Sequence, residues 1–378
     1  MGERWALVTD GHSRVALAAA RGLHEAGWRV RVVEQASRAG RTPVAFASRA
    51  AAETRILPNL TDDLDVYLKA LIDAARGCSI VLPVTTNQVE LLLRHRTQAE
   101  AAGLRIPWGD VNDFGQLTDK SVLLWKAERL GISVPPSVPA DTPRMARPVV
   151  VKLSDDRGLY LAPTDRYAIV PPGGDLAATV ARFAKIRRDP IVQEWIDGEG
   201  YGVSGVFRNG VPEALTTHRR VREFPPGGGP ATCAVSVVEP AAEDSARRLM
   251  AEIRWTGPAM VEFRRAQSDG KYYLMEVNAR LWGTLPLALA CGVNVPDRLA
   301  RLALGEPPPP APPPAPGVRL RFLAADAAAA WSARRDPRLR WGYLGGFLGD
   351  LLDPRVRSGV FRWSDPLPAW AYLRSRTA

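Results

Sequence analysis

Residues 259–280 read Ala259-Met-Val-Glu-Phe-Arg-Arg-Ala-Gln-Ser-Asp-Gly-Lys-Tyr-Tyr-Leu-Met-Glu-Val-Asn-Ala-Arg280. In the middle stands Ser268-Asp269-Gly270, a three-residue turn with glycine in the last, left-handed place, which is a favoured hairpin loop. That turn puts Gln267 opposite Lys271, Glu262 opposite Glu276 and Met260 opposite Asn278. Because side chains alternate along a strand, Val261, Phe263, Tyr273, Met275 and Val277 form an apolar face, and Glu262, Glu276 and Asn278 share the other. Like charges facing each other across two strands destabilise a sheet, so something positive is expected between the two acids. Three oxygen-bearing side chains on one rigid face suit Mg2+, which takes oxygen ligands together with substrate phosphates. Two residues further along the same face, Arg280 is placed to reach a phosphate held by such a metal.

Upstream, the chain opens as alternating strands and helices. An apolar run at residues 5–9, a turn at 10–13, a helical stretch over 15–26 closed by Gly27 and a strand at 30–33 closed by Glu34 make a βαβ start, which favours a parallel sheet. A strand at 79–83 and a helix over 87–102 continue it. The first turn carries one glycine rather than G-x-G-x-x-G, so the nicotinamide fingerprint fails. His12 and Ser13 in that turn lie where a substrate could be touched, although Ser13 reads better as a helix cap. Further on, a helix over 118–131 is capped by Thr118 or Asp119 and stopped by Gly131. Strands are expected at 148–153, 191–196, 201–207 and 211–222, the last two joined by the hairpin signal Asn209-Gly210. Arg220 and Arg222 alternate onto one face and Arg219 onto the other, unless all three are a solvated edge. Glycine and proline crowd residues 225–230, a candidate lid that would exclude water and carry guanidinium charge to a phosphate. Residues 306–316 are nearly all proline and read as a polyproline spacer before a Trp- and Arg-rich tail.

Composition narrows the class. With 378 residues, 46% hydrophobic and 24% charged, the chain is long enough for two or three domains and is not mainly disordered. No run approaches about 18 consecutive apolar residues, so no membrane span is expected, and the first residues lack a signal-peptide layout. Three widely spaced cysteines, Cys78, Cys233 and Cys291, form neither a metal pattern nor a disulfide framework, which points to a reducing cytoplasm. The net charge of +10 suits anionic substrates. Without a Lys/Arg block or a basic stripe interleaved with aromatics, it argues against nucleic acid as the partner.

Met275-Glu-Val-Asn-Ala-Arg280, preceded by Met260-Val-Glu-Phe263, resembles the metal-binding core of ATP-grasp enzymes, and other motifs follow in family order over roughly residues 4–305. The resemblance implies that Lys120 and Lys152 bind the nucleotide. It makes Gln193-Glu194-Trp195-Ile196 the interlobe strand that holds adenine, and Glu199 the acid on the ribose. That acid stands one residue earlier than in many family members, which would have it at Gly200. The stretch 218–232, together with 281–288 and 361–368, is similar to a subgroup of predicted bacterial ATP-grasp ligases, some of them in natural-product pathways.

The implied architecture is a preATP-grasp parallel α/β domain (1–108), a two-lobed α+β ATP-grasp module with a small lobe (109–190) and a large lobe (191–305), a Pro-rich linker (306–316) and a C-terminal segment (317–378). The implied activity is ATP-dependent carboxylate–amine ligation through an acyl phosphate. ATP and Mg2+, or Mn2+ in its place, are the cofactors, with Glu262, Glu276 and Asn278 on the metal and Arg280, Arg220 and Arg222 as catalytic cations. Small-molecule acids and amines are the expected partners, and a homodimer is compatible with the sequence. Alternatives are an ATP-grasp kinase and a non-enzymatic anion- or nucleic-acid-binding protein.

Overall fold

The computed structural model describes residues 3–38, 42–142, 145–159, 161 and 165–374. The first unit comprises β1 (Trp5–Val8), α1 (Arg14–Glu25), β2 (Arg29–Gln35), β3 (Ala51–Leu57), α2 (Leu64–Ala74), β4 (Ile80–Leu82), α3 (Thr86–Arg94) and α4 (Arg96–Ala101). Its four strands are all parallel, in the order β3-β2-β1-β4, as the βαβ pattern requires. Ser13 caps α1 by accepting from Val15 N. The helix expected over 87–102 is broken at His95 into two.

Two helices follow, α5 (Val111–Thr118) and α6 (Lys120–Arg129), and Asp119 caps α6 by accepting from Ser121 N and Val122 N. Strand β5 (Val149–Lys152), β6 (Tyr167–Val170), helix α7 (Leu176–Ile186) and β7 (Ile191–Glu194) form a small antiparallel sheet, β6-β5-β7, with its own core around Val151 and Phe183. The interlobe strand β7 therefore belongs to the small sheet, not to the large lobe that the boundary at 191 assigned it to, because its backbone pairs with β5.

The remainder is β8 (Gly198–Arg208), β9 (Val211–Glu223), β10 (Ala231–Val237), α8 (Pro240–Ile253), β11 (Gly257–Ala266), β12 (Tyr272–Asn278), α9 (Leu285–Ala290), α10 (Val295–Leu304), β13 (Arg319–Arg321), α11 (Leu323–Ala333), α12 (Arg340–Leu352), β14 (Arg357–Ser358) and α13 (Leu367–Arg374). Seven strands order as β12-β11-β8-β9-β10-β13-β14. Asn209 and Gly210, both at positive φ, turn β8 into β9. The proline stretch is not a free tether. Arg298 Nη2 donates to Pro310 O at 2.8 Å and Ser236 Oγ to Ala315 O at 2.5 Å, and the chain then adds β13 alongside β10. The tail returns to the first unit, where buried Arg21 donates to Asp365 Oδ2 (2.9 Å) and to Val360 O (2.7 Å).

Candidate functional site

Glu262 pairs with Glu276 and Met260 with Asn278, as expected, but the turn itself is corrected: Ala266 N donates to Lys271 O (2.9 Å), so the loop takes four residues, 267–270, and Gln267 N donates to Asp197 O instead of facing Lys271. Beyond that point the ladder slips: Phe263 faces Leu274, and Met275 is left without a partner on β11. This bulge corrects the expected apolar face, since Leu274 is fully buried and takes the core place assigned to Tyr273 and Met275. A bulge re-aims the groups around it; here the Met275 carbonyl accepts from Lys152 Nζ at 3.3 Å.

Across the sheet, Glu276, Glu262, Gly202, His218 and Ser236 form one continuous row. Gly202 and its neighbour Gly200 open a trough across β8. A Cβ on Gly202 would collide with the His218 ring, and one on Gly200 would lie 2.8 Å from Arg220 Cδ. Through this trough Arg220 reaches Glu262 in a close ion pair, and its Nη1 also donates to Gly229 O at 3.2 Å and lies 3.5 Å from Glu223. Although burial opposes its charge, Glu262 and Glu223 raise the Arg220 pKa and keep it protonated. Asn278 Nδ2 bridges the acids, 2.9 Å from Glu262 Oε1 and 3.3 Å from Glu276 Oε1. Arg280 Nη2 donates to Asn278 Oδ1 (2.8 Å), and its Nε reaches Thr86 Oγ1 of α3 at 3.2 Å, tying the site to the first unit.

The two acids sit in different fields. Burial raises the pKa of Glu262, against the pull of Arg220. For Glu276 burial acts in the same direction, but Lys120, Lys152 and Arg280 outweigh it and hold the carboxylate below its ordinary range. Lys120 Nζ stands 3.9 Å from Glu276 Oε2. Burial and the neighbouring Lys120 push the Lys152 pKa down to about 8, with Glu276 opposing. Lys120, Lys152, Glu262, Glu276, Asn278, Arg280 and Arg220 thus meet in one cluster between the small and large sheets.

Other expected residues lie elsewhere. Gln193 is buried and its Nε2 donates to Pro135 O (3.0 Å), while Glu194 faces Arg147 at 3.9 Å. The Trp195 ring lies 4.6 Å from the Arg264 guanidinium, and Ile196 follows at the end of β7. Glu199 does not join the acids. Alternation along β8 sets it with Tyr201 on the face opposite Glu262, where it pairs with Arg219 at 2.5 Å. Arg222 is also corrected. The β9–β10 ladder slips between Arg220 and Arg222, so Arg222 turns away from Arg220 and binds Asp326 (2.7 Å) and Asp350 (2.5 Å) in the interior.

Three participants escaped the sequence reading. His218 is 4% exposed, with Nε2 3.4 Å from Thr284 Oγ1, and burial followed by Arg220 pushes its pKa down to about 3. Its two-residue spacing from Arg220 was the signal that could have placed it in the site. Glu223 closes on Arg220, and Tyr167 of β6 donates to Gly228 O at 3.1 Å, so the loop over 224–230 spans both sheets. Gly229 is required there, because a Cβ would strike the Phe224 carbonyl. Alongside that loop lies a cavity of about 240 Å³ lined by Arg14, Phe224, Pro230, Ala231, Thr232, Ala325 and Tyr372.

Residues 187–325 match the family described as ATP-grasp in the biosynthetic pathway with Ter operon. Over that stretch the chain is similar to ATP-grasp proteins. Solved structures extend the likeness over most of the chain. The biotin carboxylase domain dimer of Hydrogenobacter thermophilus 2-oxoglutarate carboxylase, solved with MgADP, ADP and bicarbonate, superposes with a TM-score of 0.62 at 16% identity, over 83% of this chain and 72% of that one. Biotin carboxylase from Campylobacter jejuni, in complex with β-γ-ATP, gives 0.61 at 16% identity over 82% and 72%. L-amino acid ligase from Bacillus licheniformis gives 0.54 at 16% identity over 82% and 75%. At these identities the shared property is the ATP-grasp fold. No curated protein sequence matches the chain. Among the described residues no helix is long and apolar enough to cross a membrane.

Proposed function

We propose that the protein is an ATP-dependent ligase that joins a small-molecule carboxylate to an amine through an acyl phosphate. The observation that carries this reading is the pair of opposed carboxylates, Glu262 and Glu276, bridged by Asn278 and flanked by Lys120, Lys152 and Arg280. The neighbours support it in kind, since one is named an amino acid ligase and another was solved with MgADP and bicarbonate.

The donor set suits a hard divalent cation: two carboxylates and a carboxamide on adjacent strands, with a guanidinium now neutralising one of them. Glu262, Glu276 and Asn278 would hold Mg2+ or Mn2+, which when bound supplies charge neutralisation at the β- and γ-phosphates. Lys120 and Lys152 hold the phosphate chain, and the Trp195–Ile196 end of β7 lines the adenine end. Arg280 orients the acid substrate against the γ-phosphate, an arrangement in which catalysis is mostly positioning and electrostatics. A carboxylate oxygen attacks the γ-phosphorus and ADP departs. The amine then attacks the acyl carbon, phosphate departs, and the nitrogen gives up a proton. Arg220, held between Glu262, Glu223 and the Gly229 carbonyl, links the acids to the 224–230 loop, which shields the acyl phosphate from water. The cavity beside that loop offers room for a substrate, with the Arg14 guanidinium at its wall. Residues 1–108 act as the preATP-grasp domain and 109–305 as the module, working in the cytoplasm on free metabolites.

The test is ADP release over a matrix of amino acids and organic acids, with mass spectrometry of the products. A ligase needs both substrates and yields a mass equal to the acid plus the amine minus water. ADP release with a single acceptor and a stable phosphorylated product would make the protein a kinase instead.

A further inference from the structure

Two residues along β11 from Glu262, Arg264 stands on the same face, since β11 runs against β8 without a slip. The residue is 9% exposed, its Nη2 donates to Gly198 O at 2.9 Å, and its guanidinium lies 4.6 Å from the Trp195 ring. Its Nε is buried and meets no acceptor. A buried donor without a partner costs free energy, and no part in holding the metal or the phosphates falls to this side chain. Opposite Arg264 on β8 is Gly200. Above that glycine sits a carboxylate from the next strand, because a Cβ on Gly200 would come 2.7 Å from Glu223 Oε1. Glu223 is itself buried. Burial pushes the Arg264 pKa down, and Glu223 is the acid that opposes this most. A buried donor and a buried carboxylate thus share one bare stretch of the sheet.

We propose that Arg264 and Glu223 hold the sugar of the nucleotide by its two vicinal hydroxyls, Arg264 donating to one hydroxyl oxygen and Glu223 accepting from a hydroxyl hydrogen. This rests on the reading of the cleft as an ATP site. Position argues for the sugar, because β11 is a ruler between the two ends of the nucleotide. Glu262 marks the metal end. Ala266, four residues on, pairs with Gly198, which follows the Trp195–Ile196 end of β7 by two residues. At about 3.4 Å per residue these marks lie about 14 Å apart, and Arg264 is midway between them. The sugar is the midway part of a nucleoside triphosphate. Chemistry argues the same way. A phosphate takes donors only, and Glu223 would repel it. A vicinal diol offers both hydrogens and lone pairs, which matches one carboxylate beside one guanidinium. Glu199, the acid expected on the ribose, faces the other side of the sheet and pairs with Arg219, so it leaves this task open.

Titration calorimetry of the full chain in Mg2+ tests this with three probes: ADP, 2′,3′-dideoxy-ADP and inorganic tripolyphosphate. The wild-type chain should bind ADP about 10–100-fold more tightly than the dideoxy form, the worth of hydrogen bonds to charged groups. Arg264→Met keeps a long stem against Trp195 and loses the donors. It should bind the two nucleotides alike, while its affinity for tripolyphosphate changes far less than that for ADP. Arg264→Lys restores a charged donor and should recover part of the preference, and Glu223→Gln should shrink it. Each preference is a ratio within one protein, so a variant that folds less well still reports it. A side chain that only braces Gly198 and Trp195 would lower the melting temperature and leave the ratio untouched. The proposal is overturned if wild type binds both nucleotides alike, if the preference survives in Arg264→Met, or if that variant loses tripolyphosphate as much as ADP. A preference for ADP that depends on Arg264, without ligation of any acid to any amine, would remove the ligase reading and uphold this one. Absence of ADP binding would remove both.

Discussion

Arg220 and Arg222 stand two residues apart on β9, and each meets two carboxylates, yet they belong to opposite kinds of structure. Around Arg222 the charges close. Arg222 and Arg319 face Asp326 and Asp350, Thr232 Oγ1 adds a hydrogen bond to Asp326, and both aspartates are almost wholly withdrawn from water. Cys233 with these two aspartates has metal-ligand spacing, but two guanidinium groups already neutralise the acids. Around Arg220 the balance is left open at the cleft: Glu276 keeps 39% of its side chain exposed, and two lysines and Arg280 converge on it. A buried ion cluster that is complete holds elements together, here the C-terminal helices against the large sheet. One that leaves a carboxylate exposed among unspent cations is prepared for an anion and its metal.

The sharpest way to break this comparison is to remove one charge from each region. Glu276→Gln should cut turnover at least about a thousandfold, the several kcal/mol of charge stabilisation a catalytic metal supplies, while the melting temperature moves little. Near-wild-type ADP release at saturating Mg2+ would sink the metal assignment. In the closed region, Arg222→Ala strands two buried aspartates and should destabilise the chain by about 3–5 kcal/mol, read as a lower urea midpoint. Its turnover per folded molecule should change far less than that of Glu276→Gln. A large kcat loss with unchanged stability would return Arg222 to the catalytic set.

Lys152 sharpens the open side. Lys152→Met should weaken a non-hydrolysable ATP analogue by about 10–100-fold, since it removes a point charge from a phosphate site. Because the free-protein pKa lies near 8 and an anion favours the charged form, binding above pH 8 should take up a proton. Below pH 7, where the lysine is already charged, it should not. Titration calorimetry in two buffers of different ionisation enthalpy reads the uptake. Equal uptake in wild type and Lys152→Met at pH 8.5 would place the titration elsewhere.

Much of this geometry was legible because it is local. Alternation put Glu262, Glu276 and Asn278 on one face, although the loop has four residues (267–270) and it is the bulge at Met275 that brings Glu262 opposite Glu276, and the βαβ order of residues 5–82 called for a parallel sheet. What failed was decided by distant partners. The slip between Arg220 and Arg222 depends on β10 and on aspartates more than a hundred residues away, and no alternation in His218-Arg-Arg-Val-Arg222 betrays it. Glu199 follows from motif order alone, and strand alternation from Gly202 sets it on the face opposite Glu262. Composition made 306–316 a spacer; the sheet edge waiting at β10 made it a return path.

The smallest effect belongs to His218, which shares the trough with Arg220 and carries no charge there. Its folded-state pKa is pushed down to about 3, by burial first and Arg220 second, against about 6.5 when unfolded. Between those values the unfolded chain holds the extra proton, so stability rises with pH. The contribution is fully present above about pH 6.5 and is lost as the solution is acidified towards the folded value. From pH 7.5 to 5.5 this one group should cost about 1.4 kcal/mol. Other groups titrate over the same range, so the informative quantity is a difference. His218→Asn keeps a polar, uncharged side chain in the trough and should lose about 1.4 kcal/mol less than wild type over that interval in urea unfolding, whatever it costs at pH 7.5. Parallel stability curves for the two proteins would mean that the imidazole takes up its proton in the folded chain as readily as in water. The trough across Gly200 and Gly202 would then be open to solvent, and the contrast between an open catalytic cluster and a dry floor beside it would fail at that point.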